Sequence, residues 1–145
     1  MPEQKPEPGP EPALSPFDYA LIRVVPNVER GECLNVGVIL FCRTRRFLAA
    51  RFALDPARLA VVAPGLDPND VAKHLDAIAR ICAGGLDAGP IGQLPPHERF
   101  DWLVAPSSTV IQPSPVHSGL CADPEATLND LVAQLVAPPP PAIPA

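Results

Sequence analysis

Residues 17–54 read FDYALIRVVPNVERGECLNVGVILFCRTRRFLAARFAL, and this stretch decides the fold. It contains three runs rich in apolar and β-branched residues, which are typical of strands. We predict these strands at 17–26, 33–42 and 47–54. The polar turns at 27–32 and 43–46 are too short for the crossover that a parallel pair needs, so the sequence predicts an antiparallel meander.

The middle strand has the clearest pattern of apolar residues. Successive side chains of a strand point to opposite faces of a sheet. We therefore predict that Ile39 and Phe41 lie on one face of the sheet. Four residues are predicted to share the opposite face: Leu34, Val36, Val38 and Leu40.

After residue 54 the apolar period changes from strand to helix. The dipeptide Asp-Pro occurs at 55–56, 67–68 and 123–124. An aspartate at the N-cap accepts hydrogen bonds from unpaired backbone N–H groups, and proline suits the first helical position because its missing N–H would be unpaired there. The sequence therefore predicts three helices, at 56–62, 68–83 and 124–136.

The region between the last two helices has weaker signals. We expect one helical turn at 97–104 and a short strand at 109–112, with a loop at 84–96 and an irregular connector at 113–122. The whole pattern predicts the α+β class, in which an antiparallel sheet of three to four strands packs against two to three helices.

Proline marks the two ends of the chain. Of its 22 prolines, half lie within residues 1–16 and 137–145. Such segments bury too little apolar surface to offset the entropy lost on ordering. We predict a single domain at 17–136 between a disordered Pro/Glu-rich tail at 1–16 and a disordered Pro/Ala-rich tail at 137–145.

Composition indicates the cellular compartment of the chain and the kinds of site that it can carry. No apolar run reaches the roughly 18 residues of a membrane-spanning helix, and the start has no basic segment followed by an apolar one. We therefore expect a cytoplasmic protein without a membrane partner. The four cysteines form no CxxC pair, so we expect reduced thiols, no metal site and no cofactor.

Charge is divided unevenly along the chain, whose formal net charge is −5. Residues 17–58 carry seven arginines against four acids, whereas residues 59–136 carry three basic residues against nine acids. This polarity suits orientation against a charged partner, and it also suits two solvated faces.

The best polar constellation surrounds the first predicted turn, and its members are Arg23, Asn27, Glu29, Arg30, Glu32 and Asn35. Arg23 interrupts an apolar strand on the face that carries Tyr19 and Leu21. An unpaired buried charge costs several kcal/mol, so either Glu29 or Glu32 pairs with Arg23 inside the fold or a ligand does. An arginine fork there would bind phosphate or carboxylate; the internal pair is favoured.

Two further groups of polar residues are weaker candidates. Residues 107–121 include several hydroxyl side chains and His117, which we add to the ligand-binding set, but they contain no GxSxG elbow, so we predict no catalytic residue. Arg43, Arg45 and Arg46 form a basic turn. Nucleic-acid binding through it is disfavoured because the sequence pI is about 5.0.

Three segments resemble the bacterial domain-of-unknown-function family 3037. They are YALIRVVPNVERGECLNVGV at 19–38, RFDWLV at 99–104 and STVIQPSPVHSGLCADP at 108–124. The likeness covers 17–136. The family has no established activity or catalytic residues, so the resemblance implies none. Some members are encoded beside a kinase-like protein, which implies a partner or a regulator.

The sequence therefore favours a non-enzymatic protein-interaction or regulatory module, and the resemblance implies a kinase-like partner for it. The alternative is a small enzyme or binder of a phosphate- or carboxylate-bearing ligand that uses the hairpin residues around Arg23.

Overall fold

The computed structural model describes residues 13–139, so most of both predicted tails (1–12 and 140–145) lies outside the described residues. The strands are β1 (Ser15–Val24), β2 (Leu34–Cys42), β3 (Phe47–Phe52), β4 (Ile111–Pro113) and β5 (His117–Cys121). The α-helices are α1 (Pro56–Val62), α2 (Pro68–Ala83), α3 (Gly89–Gly92), α4 (Pro96–Leu103) and α5 (Pro124–Leu135). Short 3-10 helices cover Val28–Arg30 and Leu86–Ala88.

The strands form one antiparallel sheet in the order β3-β2-β1-β4. β5 also pairs with β1, opposite Ser15–Tyr19, so that β4 and β5 lie end to end along one edge of β1. The predicted α+β class and the meander are confirmed, and the sheet has five strands rather than three to four. β1 begins at Ser15, two residues before the predicted domain boundary.

The predicted connector at 113–122 is wrong, because it contains β5. Ser114 joins the two edge strands: its N–H donates to the Leu21 carbonyl at 2.8 Å, and its hydroxyl accepts from the Leu21 N–H at 2.8 Å. A buried serine thus continues the pairing of β1 between Pro113 and Pro115. The predicted loop at 84–96 likewise contains the short helix α3.

The three Asp-Pro helix starts are confirmed. Each aspartate lies at the N-cap and accepts a hydrogen bond from the N–H two residues later, at 3.0 Å for Asp55, 2.9 Å for Asp67 and 3.1 Å for Asp123. Each proline takes the first helical turn, where no donor is lost.

A β-bulge in β2 overturns the predicted division of its side chains. The register against β1 shifts between Ile22 and Arg23, because Ile22 pairs with Gly37 and Arg23 pairs with Asn35. The extra residue, Val36, gives its carbonyl to the Ala53 N–H at 2.9 Å. One added residue reverses the alternation. Leu34 and Val36 therefore lie on the face of Ile39 and Phe41, while Val38 and Leu40 lie on the opposite face.

The sheet has a hydrophobic core on each face. The helices α1, α2 and α4 cover the first face, where Ile22, Val36 and Ile39 meet Leu59 and Leu75. α5 lies on the second face, where its residue Leu128 packs against buried side chains of the sheet. These are Phe17, Val38, Leu40, Cys42 and Cys121. The second layer is thinner, since one helix stands where the first face has three.

Candidate functional site

The second face of the sheet is only partly covered. α5 packs over β2 and β3, and its C-terminal end is held there by Asn35, whose amide donates to the Leu135 carbonyl at 3.1 Å, and by Arg58, which donates to the Val136 carbonyl at 3.0 Å. β1 and the edge strands beside it keep accessible side chains on this face. We call this surface the open face, and its residues are Tyr19, Leu21, Arg23, Gln112 and His117.

Arg23 is half-buried at one end of the open face. Its cross-strand neighbours use their amides elsewhere, since Asn35 donates to Leu135 and Gln112 donates to the Thr109 carbonyl at 2.8 Å. The Arg23 Nε is buried and has no hydrogen-bond partner, and no acid of residues 13–139 forms an ion pair with the guanidinium.

The predicted internal pairing of Arg23 is therefore wrong. Glu32 pairs with Arg30 instead, at 2.6 Å between Oε1 and Nη2. Glu29 is exposed in the short 3-10 helix, where its own N–H donates to the Asn27 side chain at 2.9 Å. β1 keeps its alternation through Arg23, which therefore lies on the α5 face with Tyr19 and Leu21, while the turn that carries both acids extends beyond the strands.

His117 lies at the other end of the open face. It is the cross-strand partner of Tyr19, and the centroids of the two rings are 5.3 Å apart. Tyr19 and Arg23 are four residues apart on one strand, which corresponds to about 14 Å at the rise of a β-strand. The two polar ends of the open face are thus separated by a span that an extended segment of four or five residues matches.

Three of the predicted site residues lie elsewhere. Asn27, Arg30 and Glu32 line a cavity of about 540 Å³ between the first turn and residues 61–66, which form the end of α1 and the turn after it. Of the seven predicted residues, Arg23, Asn35 and His117 therefore belong to the α5 face of the sheet, three line this cavity, and the exposed Glu29 belongs to neither group.

The ion pair in this cavity governs its electrostatics. The Arg30 guanidinium hydrogen-bonds the Glu32 carboxylate and lowers its pKa, and the carboxylate raises the pKa of Arg30. Both side chains are about half exposed or more, so water screens the pair and its contribution to stability is small. The two charges also neutralise each other, which leaves no net charge to attract an ion.

The hydroxyl-rich segment at 107–121 serves the structure. Ser114 is buried in the edge of the sheet, the Ser118 hydroxyl donates to Asp18 at 2.6 Å, and the Ser107 and Thr109 hydroxyls lie 2.9 Å apart. Among residues 13–139, no group of three or more His, Cys, Asp or Glu side chains is placed to hold a metal ion.

The cysteines lie apart from the open face's polar groups. Cys33 is exposed, while Cys42, Cys82 and Cys121 are buried. Burial raises the pKa of the Cys82 thiol to about 12, although the Arg99 cation opposes the shift. Burial and the neighbouring Cys42 raise the pKa of Cys121 as well. These buried thiols stay protonated at neutral pH and are poor nucleophiles.

Sequence reasoning left three members of the open face, Tyr19, Leu21 and Gln112, out of the predicted ligand-binding set. The signal for Tyr19 was present, since it alternates with Leu21 and Arg23 in β1. No signal marked Gln112 as a neighbour of Arg23, because that contact depends on the long-range pairing of β4 with β1.

Comparison with known proteins places the chain in a family and no further. In the part of the chain that the structure describes, no helix combines the length and apolar character needed to span a bilayer. No curated protein and no solved structure matches the chain. The model of the family described as "Protein of unknown function (DUF3037)" matches residues 19–136. The match begins at Tyr19 within β1 and includes every later strand and helix through α5. Because it covers more than half of the chain, the chain belongs to that family.

Proposed function

We propose that the chain is a non-catalytic protein-interaction or regulatory module that binds an extended segment of a partner protein on its open face. The observation that carries this proposal is Arg23, whose Nε is buried and has no hydrogen-bond partner among residues 13–139, on a face that α5 leaves accessible. A cation that no acid of these described residues neutralises is complementary to a carboxylate brought by another molecule.

The shape of the open face favours a peptide segment over a small ligand. The half-buried Tyr19 and Leu21 lie between Arg23 and the exposed His117 and give an apolar centre flanked by polar groups. The open face is an accessible strip of the sheet beside α5. A peptide segment lying along it would bury the apolar centre, and an acidic residue of that segment would contact Arg23. This arrangement of an apolar core with a polar rim is typical of protein interfaces.

The partner class comes from the resemblance to the family. The resemblance implies that some members are encoded beside a kinase-like protein, and a small domain that holds such a protein through one exposed face would act as its partner or regulator. The proposed contact is an acidic residue of the kinase-like protein on Arg23, with apolar neighbours on Tyr19 and Leu21.

The test is a calorimetric titration of the purified chain with a kinase-like protein from the same genome. Arg23→Gln is expected to weaken binding about 10- to 100-fold, because one partner of a desolvated charge pair is lost. Arg80→Gln is the matched control: it removes an equal charge from the exposed face of α2, where Arg80 pairs with Asp76 at 2.9 Å, and should leave affinity unchanged.

Equal affinity of wild type and Arg23→Gln would remove the open face from the proposal. An absence of binding by the wild-type chain would remove the kinase-like partner.

A second candidate is a binder of a phosphate- or carboxylate-bearing small molecule in the 540 Å³ cavity, which Asn27, Arg30 and Glu32 line. The observation in its favour is the meeting of three polar side chains in one concave site. Because Glu32 is paired with Arg30, an anion must displace the Glu32 carboxylate before it can bind Arg30. Glu32→Gln is therefore expected to strengthen binding of inorganic phosphate, and an unchanged affinity would count against this candidate.

A further inference from the structure

A separate cleft lies at the β2–β3 turn, on the sheet face opposite the open face. Its volume is about 260 Å³ and it is lined by Phe41, Arg43, Arg46, Pro96 and His97. The turn provides the two arginines and the start of α4 provides the histidine, while Phe41 stacks on Phe100 of α4 with centroids 5.3 Å apart. We call this site the arginine cleft.

The three arginines of the turn are used differently. Arg45 is occupied by the start of the chain's first strand, since its Nε donates to the Ser15 hydroxyl at 3.1 Å and its Nη2 donates to the Ala13 carbonyl at 2.7 Å. Within residues 13–139, the side chains of Arg43 and Arg46 form neither a hydrogen bond nor an ion pair. Both cations that line the cleft therefore keep their donors available.

The backbone at Arg46 is left-handed, with a φ of 53°, and it is the one residue other than glycine with positive φ in the part of the chain described. Its N–H closes the turn on the Arg43 carbonyl at 3.1 Å. Glycine adopts this conformation without strain, and a side chain there is strained. A left-handed residue commonly ends a short hairpin turn, and here it fixes the position of the Arg46 side chain beside the cleft.

We propose that the arginine cleft binds the phosphate group of a small phosphate monoester. Two guanidinium forks and an imidazole nitrogen match the three terminal oxygens and the double negative charge of such a group. A carboxylate has one charge and two oxygens, so it would leave one arginine without a partner. The edge of Phe41 offers an apolar surface to the organic part of the ester.

The small volume and the overall charge decide between a small molecule and a nucleic acid. The net charge of −5 opposes a long polyanion, and a cleft of about 260 Å³ holds one small phosphate monoester rather than a chain of nucleotides. The proposal is independent of the protein-binding role of the open face, because the two sites share no residue.

The experiment is an NMR titration of the ¹⁵N-labelled chain with inorganic phosphate, phenyl phosphate and benzoate in separate arms. Phenyl phosphate is expected to bind at least threefold more tightly than inorganic phosphate and at least tenfold more tightly than benzoate, with shifts at His97 and Phe41. Arg43→Gln and Arg46→Gln should each lower its affinity tenfold or more. Arg45→Gln, with the same loss of charge in the same turn, should bind as the wild type does.

Arg46→Gly separates binding from stability. It removes the guanidinium and relieves the backbone strain, so the melting temperature should rise or stay equal while phenyl phosphate affinity falls tenfold or more. The proposal is overturned by wild-type affinity in Arg46→Gly, by an equal loss in Arg45→Gln, by no saturable binding of phenyl phosphate at millimolar concentration, or by benzoate binding as tightly as phenyl phosphate.

Discussion

The two faces of the sheet differ in how completely helices cover them. Ile22 on the first face is 1% exposed beneath three helices, whereas its neighbour Leu21 on the second face is half-buried beside one. Helices cover the first face along β1 and β2, with the arginine cleft at its edge, while the second face keeps an accessible strip along β1. A domain of this size can therefore keep a binding surface on one side of a sheet that the other side stabilises.

Two arginines show the same contrast at single residues. Arg99 of α4 donates to three carbonyls, those of Leu94 at 2.9 Å, Ile81 at 2.8 Å and Cys82 at 2.6 Å, and so closes the C-terminal end of α2. Arg23 has no such partners among residues 13–139. One arginine holds the fold together, and the other is available to a partner.

We expect the greatest difference in the free energy of unfolding between substitutions of two adjacent residues of β1. Ile22→Ala should lower the free energy of unfolding by about 2–5 kcal/mol, because it leaves a cavity in the closed core. Leu21→Ala should cost about 1 kcal/mol, since its side chain is half solvated in the native state. Urea denaturation of both variants measures the difference. Equal losses would mean that the second face is as closed as the first.

The arginine comparison is tested next. Arg99→Ala should lower stability by about 2–3 kcal/mol, because three carbonyls lose a charged donor. Arg23→Met should raise stability by about 1 kcal/mol, since it removes a buried Nε that has no partner. Denaturation in urea gives both values. A marked loss of stability in Arg23→Met would show that this guanidinium is satisfied within the fold.

The pairing of β2 with β3 depends on Gly37, which follows the bulge residue Val36. A Cβ at this position would lie 2.3 Å from Phe52 Cδ1 and 2.9 Å from the Arg51 carbonyl. Gly37→Ala should therefore cost about 1–3 kcal/mol through overpacking. Gly65→Ala is the control, because a Cβ there has no atom within 4 Å. A neutral Gly37→Ala would indicate that β3 moves away at little cost.

The reactivity of the four thiols is the quickest test of the difference between exposed and buried positions, and it requires no substitution. Cys33 is exposed outside both cores, while Cys82 is buried under the helices of the closed face with its pKa raised to about 12. In the native chain at pH 8, one thiol should react rapidly with Ellman's reagent and three slowly, and all four should react in guanidinium chloride. Rapid reaction of two or more native thiols would show that a core opens readily.

Local signals predicted most of the fold. The Asp-Pro pairs located the three main helices because N-cap bonding and the proline position depend only on neighbouring residues. The meander followed from the short turns. β5 was missed because its exposed residues and Gly119 give no alternation, and only its pairing with Ser15–Tyr19 makes it a strand.

The candidate site was less predictable for the same reason. The sequence singled out Arg23 as unusual, since a charge interrupts apolar residues in β1. Whether an acid reaches it depends on the conformation of the turn, where Glu32 pairs with Arg30 and Glu29 is exposed, and the sequence pattern does not reveal this choice of partner. Likewise, His97 joins Arg43 and Arg46 only through the packing of α4 on β2.

The most direct test of the open face as the binding surface is a map of amide shifts in the labelled chain on addition of the kinase-like protein. Binding on the open face should shift the amide signals of Tyr19, Arg23, Gln112 and His117, with little change at His74 or Asp76 on α2. Shifts confined to α1, α2 and the cavity beside them would contradict it, because the closed face would then be the one in contact.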